Sequence, residues 1–171
     1  WLTLKERREG LIQPGDIYRL PLDHEWSVAM GIGEGEDAAE YPVQKDWKLK
    51  VYPWGSEWPP PKGAGNFPGW EAREVIRKPV IRGYVDDYSV MAPVGRFAAN
   101  ELGLHDLSGN VFEWCENWYD ESKTKRTFRG GSWSTPEEFW FRSADRDQAD
   151  PAKRTGNIGF RCVLEKVLKS R

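Results

Sequence analysis

The sequence predicts an α+β domain, in which two helices pack on a twisted antiparallel sheet and long ordered loops join the elements. Three observations predict it. Two short helical stretches lie near the start. From Leu104 onward, runs of alternating apolar and polar residues are broken by turn residues. The span between, residues 34 to 100, is too rich in Pro and Gly for regular structure, yet it carries many aromatic side chains.

The first helix follows Thr3-Leu4-Lys5-Glu6, which has the form of a capping box, and Gly10 should stop it. Pro14-Gly15 reads as a turn, and Ile17 to Leu20 as a short strand ending at Pro21. Asp23 to Met30 reads as the second helix, with Asp23 and Glu25 favourably placed near its positive end. In the middle span, WPPPKGAGNFPGW holds three aromatic rings, and a solvated linker would hold few. It therefore reads as an ordered loop packed on the body. Strands are expected over Val111 to Trp118, Thr127 to Ser132, Phe139 to Ser143 and Ile158 to Leu164, with Ala144 to Gly156 as a polar loop.

The 171 residues suit one domain able to bury its own core. With 10 Trp, 17 Gly and 12 Pro, the composition suggests irregular segments pinned by large rings. Basic and acidic residues number 25 and 27, which gives no electrostatic case for nucleic acid. No apolar run approaches the ~20 residues of a membrane span, so insertion by this chain is not expected. No signal peptide is visible, which favours the cytoplasm. Cys115 and Cys162 lack metal-type spacing and read as two buried thiols, with a disulfide left open should their strands be neighbours. His24 and His105 read as surface or packing residues.

Asp106-Leu107-Ser108-Gly109-Asn110-Val111-Phe112-Glu113 sets two carboxylates around a tight turn, a plausible oxygen cage for calcium. The alternative is that Asp106 and Asn110 are turn formers and Glu113 pairs with an arginine.

Four collinear segments carry a resemblance. They are YRLPLDHEWSVAMG, VYPWGSEWPPPKGAGNF, APVGRFAANELGLHDLSGNVFEWCENWYD, and FRGGSW followed by RSADR, DP and NIGFRCV. Together they resemble the formylglycine-generating, or sulfatase-modifying-factor, family. The resemblance implies a C-type-lectin-like fold and a single domain over residues 1–171 that lacks the family's N-terminal portion. It implies structural calcium on Asp106, Glu113 and the carbonyls of Gly109 and Val111. A second calcium is implied on Asn66, the Phe67 carbonyl, Asp86 and the Tyr88 carbonyl.

Enzymes of that family resemble one another in a copper-binding cysteine pair just after GGS-aromatic. Here those positions are Thr135 and Trp140, so no copper is expected. A related iron-dependent branch relies on a histidine cluster, which two histidines do not supply. The region after Trp133 is also similar to the variable region of retroelement-diversified proteins. That similarity makes Arg142-Ser143-Ala144, Arg146, Pro151, Arg154 and Asn157 to Arg161 framework. It makes Ser134, Thr135, Glu137, Phe139, Trp140, Asp145, Asp147, Gln148, Ala149, Asp150, Lys153, Thr155 and Gly156 ligand-facing.

The function expected is a non-catalytic domain that binds a protein or small molecule through the Trp133 to Gly156 face. The alternatives are a formylglycine-generating oxidoreductase and a structural accessory domain of a larger protein. The sequence is silent on oligomeric state.

Overall fold

Strand β2 (Phe112–Trp118) is the middle of the molecule, and its neighbours are fixed by what its side chains need. The computed structural model describes residues 1–46 and 48–167. On one side β2 pairs antiparallel with β3 (Arg126–Arg129), and β3 pairs with β4 (Asp147–Ala149). On the other side lies β5 (Ile158–Gly159), parallel to β2, so the sheet order is β4-β3-β2-β5. A second, two-stranded sheet joins β1 (Ile17–Arg19) to β6 (Val163–Glu165). The class is α+β, as the sequence predicts, but the larger sheet is mixed rather than antiparallel.

Helix α2 (Asp23–Ala29) packs on β2, where Trp26, Leu107 and Cys115 form a buried cluster with Ala29, Met30 and Leu104 around it. Helix α1 (Leu2–Arg8) buries no residue and lies beside β1, so one helix covers the larger sheet, not two. The Thr3 capping box does not form. Thr3 Oγ1 instead accepts the Tyr18 backbone N–H at 2.9 Å, and Glu6 accepts the Tyr18 hydroxyl at 2.6 Å. Both groups are used to tie the helix to β1, and Trp1 stands at the N-cap. At α2 the cap is Leu22, whose N–H donates to Glu25 Oε2 at 2.7 Å.

The irregular span contains two single-turn helices, α3 (Pro42–Lys45) and α4 (Arg73–Ile76). Its aromatic loop packs inward as expected. Tyr52, Phe67, Ile81, Tyr84 and Phe141 form a second cluster, with Trp54 and Trp58 against it. Phe141 belongs to a 3₁₀ turn over Glu138–Phe141, where the sequence suggested a strand. A strand would put Glu138 and Phe141 on opposite faces. Three residues per turn put them on one face. There the Phe141 ring meets Phe67 at 4.8 Å, and the Glu138 carboxylate accepts the Tyr52 hydroxyl. Gly131 adopts φ +73, and a side chain on it would collide with the Phe141 ring. The third cluster, Phe112, Phe128 and Ala149, is covered by Trp114, Trp140 and Ile158.

Two further readings change. The supposed polar loop from Ala144 to Gly156 contains β4, and the supposed last strand is two strands in different sheets. Cys115 is fully buried but Cys162 is exposed, and both are free.

Asp23 does not cap its helix. It is buried, and its carboxylate meets Lys45 Nζ at 2.8 Å, Arg129 Nη1 at 2.6 Å and Arg146 Nε at 3.2 Å. Arg146 Nη2 also reaches Glu36 Oε1 at 2.5 Å, and Arg129 stacks over the Trp26 ring at 4.4 Å. Burial would raise the Asp23 carboxyl, but the Arg129, Arg146 and Lys45 cations hold it well below the usual carboxylate range. Asp145, next to Arg146, has the opposite balance. Burial and the neighbouring Asp46 carboxylate push it up to about 8.

Two outcomes follow from this charge arrangement. Asp23→Ala leaves three buried cations with Glu36 as their one remaining counter-charge among the described residues and should cost about 3–5 kcal/mol, read by urea unfolding. Asp145 binds its proton more tightly folded than unfolded, so stability should fall as pH rises from its ordinary 3.8 towards about 8. Asp145→Asn should flatten that fall, read as melting temperature against pH. An unchanged slope would show that Asp145 does not titrate there.

Candidate functional site

Loop 65–69, segment 84–92 and the turn at Gly109-Asn110 are held together by one lattice of hydrogen bonds. Asn110 N–H donates to the Asn66 carbonyl at 2.7 Å, and Gly109 N–H to the Gly130 carbonyl at 2.8 Å. Asn110 Oδ1 accepts the Ala92 N–H at 3.0 Å. Gly109 has φ +78 and faces the Asn66 carbonyl and the Phe67 ring too closely for any side chain. Both sets of calcium donors implied by the resemblance hang on this lattice, and the structure treats them differently.

In the second set, Asn66 is fully buried, and its Nδ2 donates to the Val90 carbonyl at 2.7 Å. Its Oδ1 is buried with no hydrogen-bond partner. Asp86 accepts the N–H groups of Phe67 at 2.7 Å and Tyr88 at 2.9 Å. Glu71, a residue the sequence reading missed, accepts the N–H groups of Asp86 at 2.5 Å and Asp87 at 2.8 Å, and its Oε2 is buried without a partner. Burial, helped by the Glu71 carboxylate, pushes the Asp86 carboxyl up to about 7. The Asp86 and Glu71 carboxylates and the Asn66 amide, with Asn66 Oδ1 and Glu71 Oε2 unpaired, form an oxygen-rich place whose carboxylates have no salt bridge among the described residues, and this donor chemistry fits calcium. No group of three or more His, Cys, Asp or Glu side chains gathers among the described residues, so a calcium ion there would need backbone carbonyls such as those of Phe67 and Tyr88.

In the first set, Glu113 spends both oxygens on Arg161, at 2.6 Å to Nε and 2.6 Å to Nη2, and also accepts Trp26 Nε1 at 3.1 Å. This is the arginine-paired alternative. Asp106, at φ +56, accepts the Gly95 N–H at 2.7 Å, and its Oδ1 is buried without a partner. With Glu113 closed, Asp106 and the Gly109 and Val111 carbonyls make an incomplete cage, and this set does not fit calcium.

The supposed ligand-facing stretch divides in two. Asp145 and Ala149 are buried and face no ligand: Asp145 lies beside the ionic cluster, and Ala149 lies against Phe112 and Phe128. Thr135 closes a turn, its Oγ1 accepting the Ser132 N–H at 3.0 Å. Trp140 stands edge-on to Phe112, ring centres 5.6 Å apart, with Phe139 beside it at 4.9 Å. Asp147 and Gln148 are half-buried in β4, while Glu137, Asp150, Lys153, Thr155 and Gly156 are exposed. Of the supposed framework, Arg146 and Ser143 are buried, whereas Pro151 and Arg154 are exposed.

A shallow cavity of about 280 Å³ opens at one end of this stretch, lined by Ile76, Lys78, Trp133, Ser134, Gly156 and Asn157. Trp133 Nε1 donates to the Gly156 carbonyl at 3.2 Å, and Asn157 Nδ2 to Ser134 Oγ at 3.2 Å, so its aromatic and hydroxyl walls are fixed. Ile76 and Lys78 come from the end of α4, distant in sequence, and no local signal joins them to Trp133.

His24 is half-buried and His105 exposed, its Nδ1 2.7 Å from the Phe97 carbonyl. No helix among the described residues is long and apolar enough to cross a membrane.

Known proteins share this architecture. A formylglycine-generating enzyme of Thermomonospora curvata is 30% identical over 86% of this chain and 49% of its own length. A Bos taurus protein named inactive C-alpha-formylglycine-generating enzyme 2 is 29% identical over 85% of this chain and 43% of its own. The chain thus spans about half the length of the curated relatives it matches. Among solved structures, Treponema denticola variable protein 1 superposes with a TM-score of 0.57, at 24% identity, over 85% of this chain and 46% of that one. The pattern of the sulfatase-modifying factor enzyme 1-like domain matches residues 3–166, and the chain belongs to that family.

Proposed function

We propose that the chain is a non-catalytic, calcium-supported binding domain of its family, which takes a protein or small-molecule ligand on the Trp133 to Gly156 face. One observation carries the reading. Where the family resemblance places the two copper thiolates, this chain has Thr135, bonded into the turn of Ser132, and Trp140, packed edge-on against Phe112. Neither supplies sulfur, and soft sulfur is what cuprous ion selects. Cys115 lies fully buried beneath α2, where burial pushes its thiol up, away from the thiolate a metal needs. The kinship with a protein named as an inactive relative agrees with this reading.

The surface that remains has the content of a binding site. Trp133 and Ser134 wall the 280 Å³ cavity, and Lys78 stands at it with no carboxylate partner among the described residues. Glu137, Lys153 and Thr155 are exposed on the same stretch of chain. Calcium on Asn66, Asp86, Glu71 and the Phe67 and Tyr88 carbonyls would tie loop 65–71 to segment 84–92 and so hold the irregular half of the domain in register. Its role there is charge neutralisation and loop closure.

Each part has its own test. Incubation of the protein with copper, oxygen and a cysteine peptide should give no formylglycine by mass spectrometry, and any such product defeats the reading. Saturating calcium should raise the melting temperature by ~5–10 °C over a chelated sample, the gain expected at about a hundred times the dissociation constant. Asp86→Ala should abolish the increment. Ligands selected from a displayed-peptide library should bind the Trp133→Ala, Lys78→Glu variant at least tenfold more weakly, by about 1.4 kcal/mol or more. Unchanged affinity would place the binding face elsewhere.

A further inference from the structure

The larger sheet carries an irregularity that makes room beside it. Trp114 pairs with Phe128 and Trp118 with Arg126, and the β2–β3 register shifts between them. Cys115, Glu116 and Asn117 thus stand opposite Thr127 alone, and a strand with extra residues bends away from its neighbour. A cavity of about 240 Å³ lies here, lined by Leu20, Trp114, Cys115, Glu116, Arg126 and Pro151. It shares no residue with the Trp133 cavity. Backbone pairing brings in its outer walls. Glu116 N–H donates to the Pro21 carbonyl at 2.9 Å, which sets Leu20 beside β2, and the pairing of Arg126 with Ala149 brings Pro151 close.

Side-chain directions along β2 decide which groups meet. Cys115 packs with Trp26, and Asn117 Oδ1 accepts the Asp23 N–H at 2.7 Å, so both point to α2. Successive side chains alternate, so Trp114, Glu116 and Trp118 take the opposite face. There Trp114 stands edge-on to Phe128, ring centres 5.5 Å apart, and the Arg126 guanidinium lies 3.8 Å from the centre of the Trp118 ring. Glu116 is exposed and Arg126 half-buried, so both charges are open to a solute. Neither has an ion partner or a side-chain hydrogen bond among the described residues. Opposite charges therefore line one cavity without bridging each other, and an apolar wall of Trp114, Leu20 and Pro151 lies with them.

We propose that this cavity binds a free α-amino acid with an apolar side chain. The carboxylate lies on the Arg126 guanidinium, the ammonium on the Glu116 carboxylate, and the side chain against Trp114, Leu20 and Pro151. An arginine held flat on a ring presents its N–H fork in one orientation, and a carboxylate accepts from that fork with two oxygens. An anion alone would also meet Glu116, and a cation alone would also meet Arg126, each a like-charge encounter; a zwitterion satisfies both. The volume is below the roughly 300–1,000 Å³ of drug-sized ligand sites, which favours a small molecule over a polypeptide. The site stands apart from the ligand face at Trp133 and does not depend on it.

The test is a titration of the whole chain followed by NMR, reading the backbone amides of residues 114 to 118 and the Trp114 indole N–H. The probes are L-phenylalanine, N-acetyl-L-phenylalanine, L-phenylalaninamide and glycine. L-phenylalanine should shift these signals saturably and bind about tenfold or more tightly than each of the other three. Glu116→Gln should remove its advantage over the acetylated form, which lacks the ammonium. Arg126→Gln should remove its advantage over the amide, which lacks the carboxylate. If Arg126→Gln disturbs the Trp118 ring, the exposed Glu116→Gln decides alone. Equal binding of any of the other three probes, the absence of a saturable shift, or a Glu116→Gln protein that still prefers the free amino acid to its acetylated form overturns the proposal.

Discussion

The buried carboxylate of Asp23 is the point on which the rest of the domain depends. It lies in α2, and its ion partners come from three other parts of the chain: Lys45 at the end of α3, Arg129 at the end of β3 and Arg146 just before β4. Glu36, from the loop after α2, completes the set through Arg146. Three cations and two anions share one dry volume, and none has water to fall back on. Ser27 Oγ, one turn along the same helix, accepts from both arginines at 3.1 and 3.0 Å. The arrangement therefore specifies how α2 lies on the sheet more sharply than carbon packing would, since a shift of one residue would leave a full charge unpaired.

Around that point the domain is built from rings rather than from long elements. Its strands are short, and its middle third is mostly loop. What substitutes for regular structure is the aromatic cluster of Tyr52, Trp54, Trp58, Phe67, Tyr84 and Phe141, packed edge to face around Phe67 and stacked at Tyr52–Trp54 and Trp58–Phe141. The lattice at Asn66, Asn110 and Gly130 does the same work for polar groups, since every segment it joins is irregular and must find its backbone partners outside a ladder. The oxygen-rich corner at Asp86 and Glu71 is where that lattice is left with negative charge.

Much of this was legible in the sequence, and the failures have local causes. The aromatic loop, both main helices and β2 are strong patterns, and they stand where the sequence puts them. The strand expected at Phe139 was misread because alternation and a three-residue turn look alike over four residues; only the position of Tyr52 decides between them. Asp23 looks like an acidic residue set at a helix's positive end, because that place and a buried ion partner use the same residue. Lys45, Arg129 and Arg146 each look like surface charges on their own, and nothing local shows that they converge. At the candidate sites, Asn66 and Asp86 were nameable through the resemblance, whereas Glu71 and Lys78 were not. Each acts across a gap in sequence that no motif spans, and the pairing of Glu113 with Arg161 is likewise a fact of the third dimension.

The β1–β6 pair gives the domain a mechanical character. Ile17 lies opposite Glu165, and Arg19 opposite Val163, with Arg19 also gripping the Glu165 carboxylate at 2.6 Å. The two strands run antiparallel with Ile17 and Glu165 at the same end, so a tension applied at those two residues loads the ladder one rung at a time. Such a seam peels rather than shears. In a longer polypeptide, a modest pull would open this edge first while the ionic centre held the remainder closed.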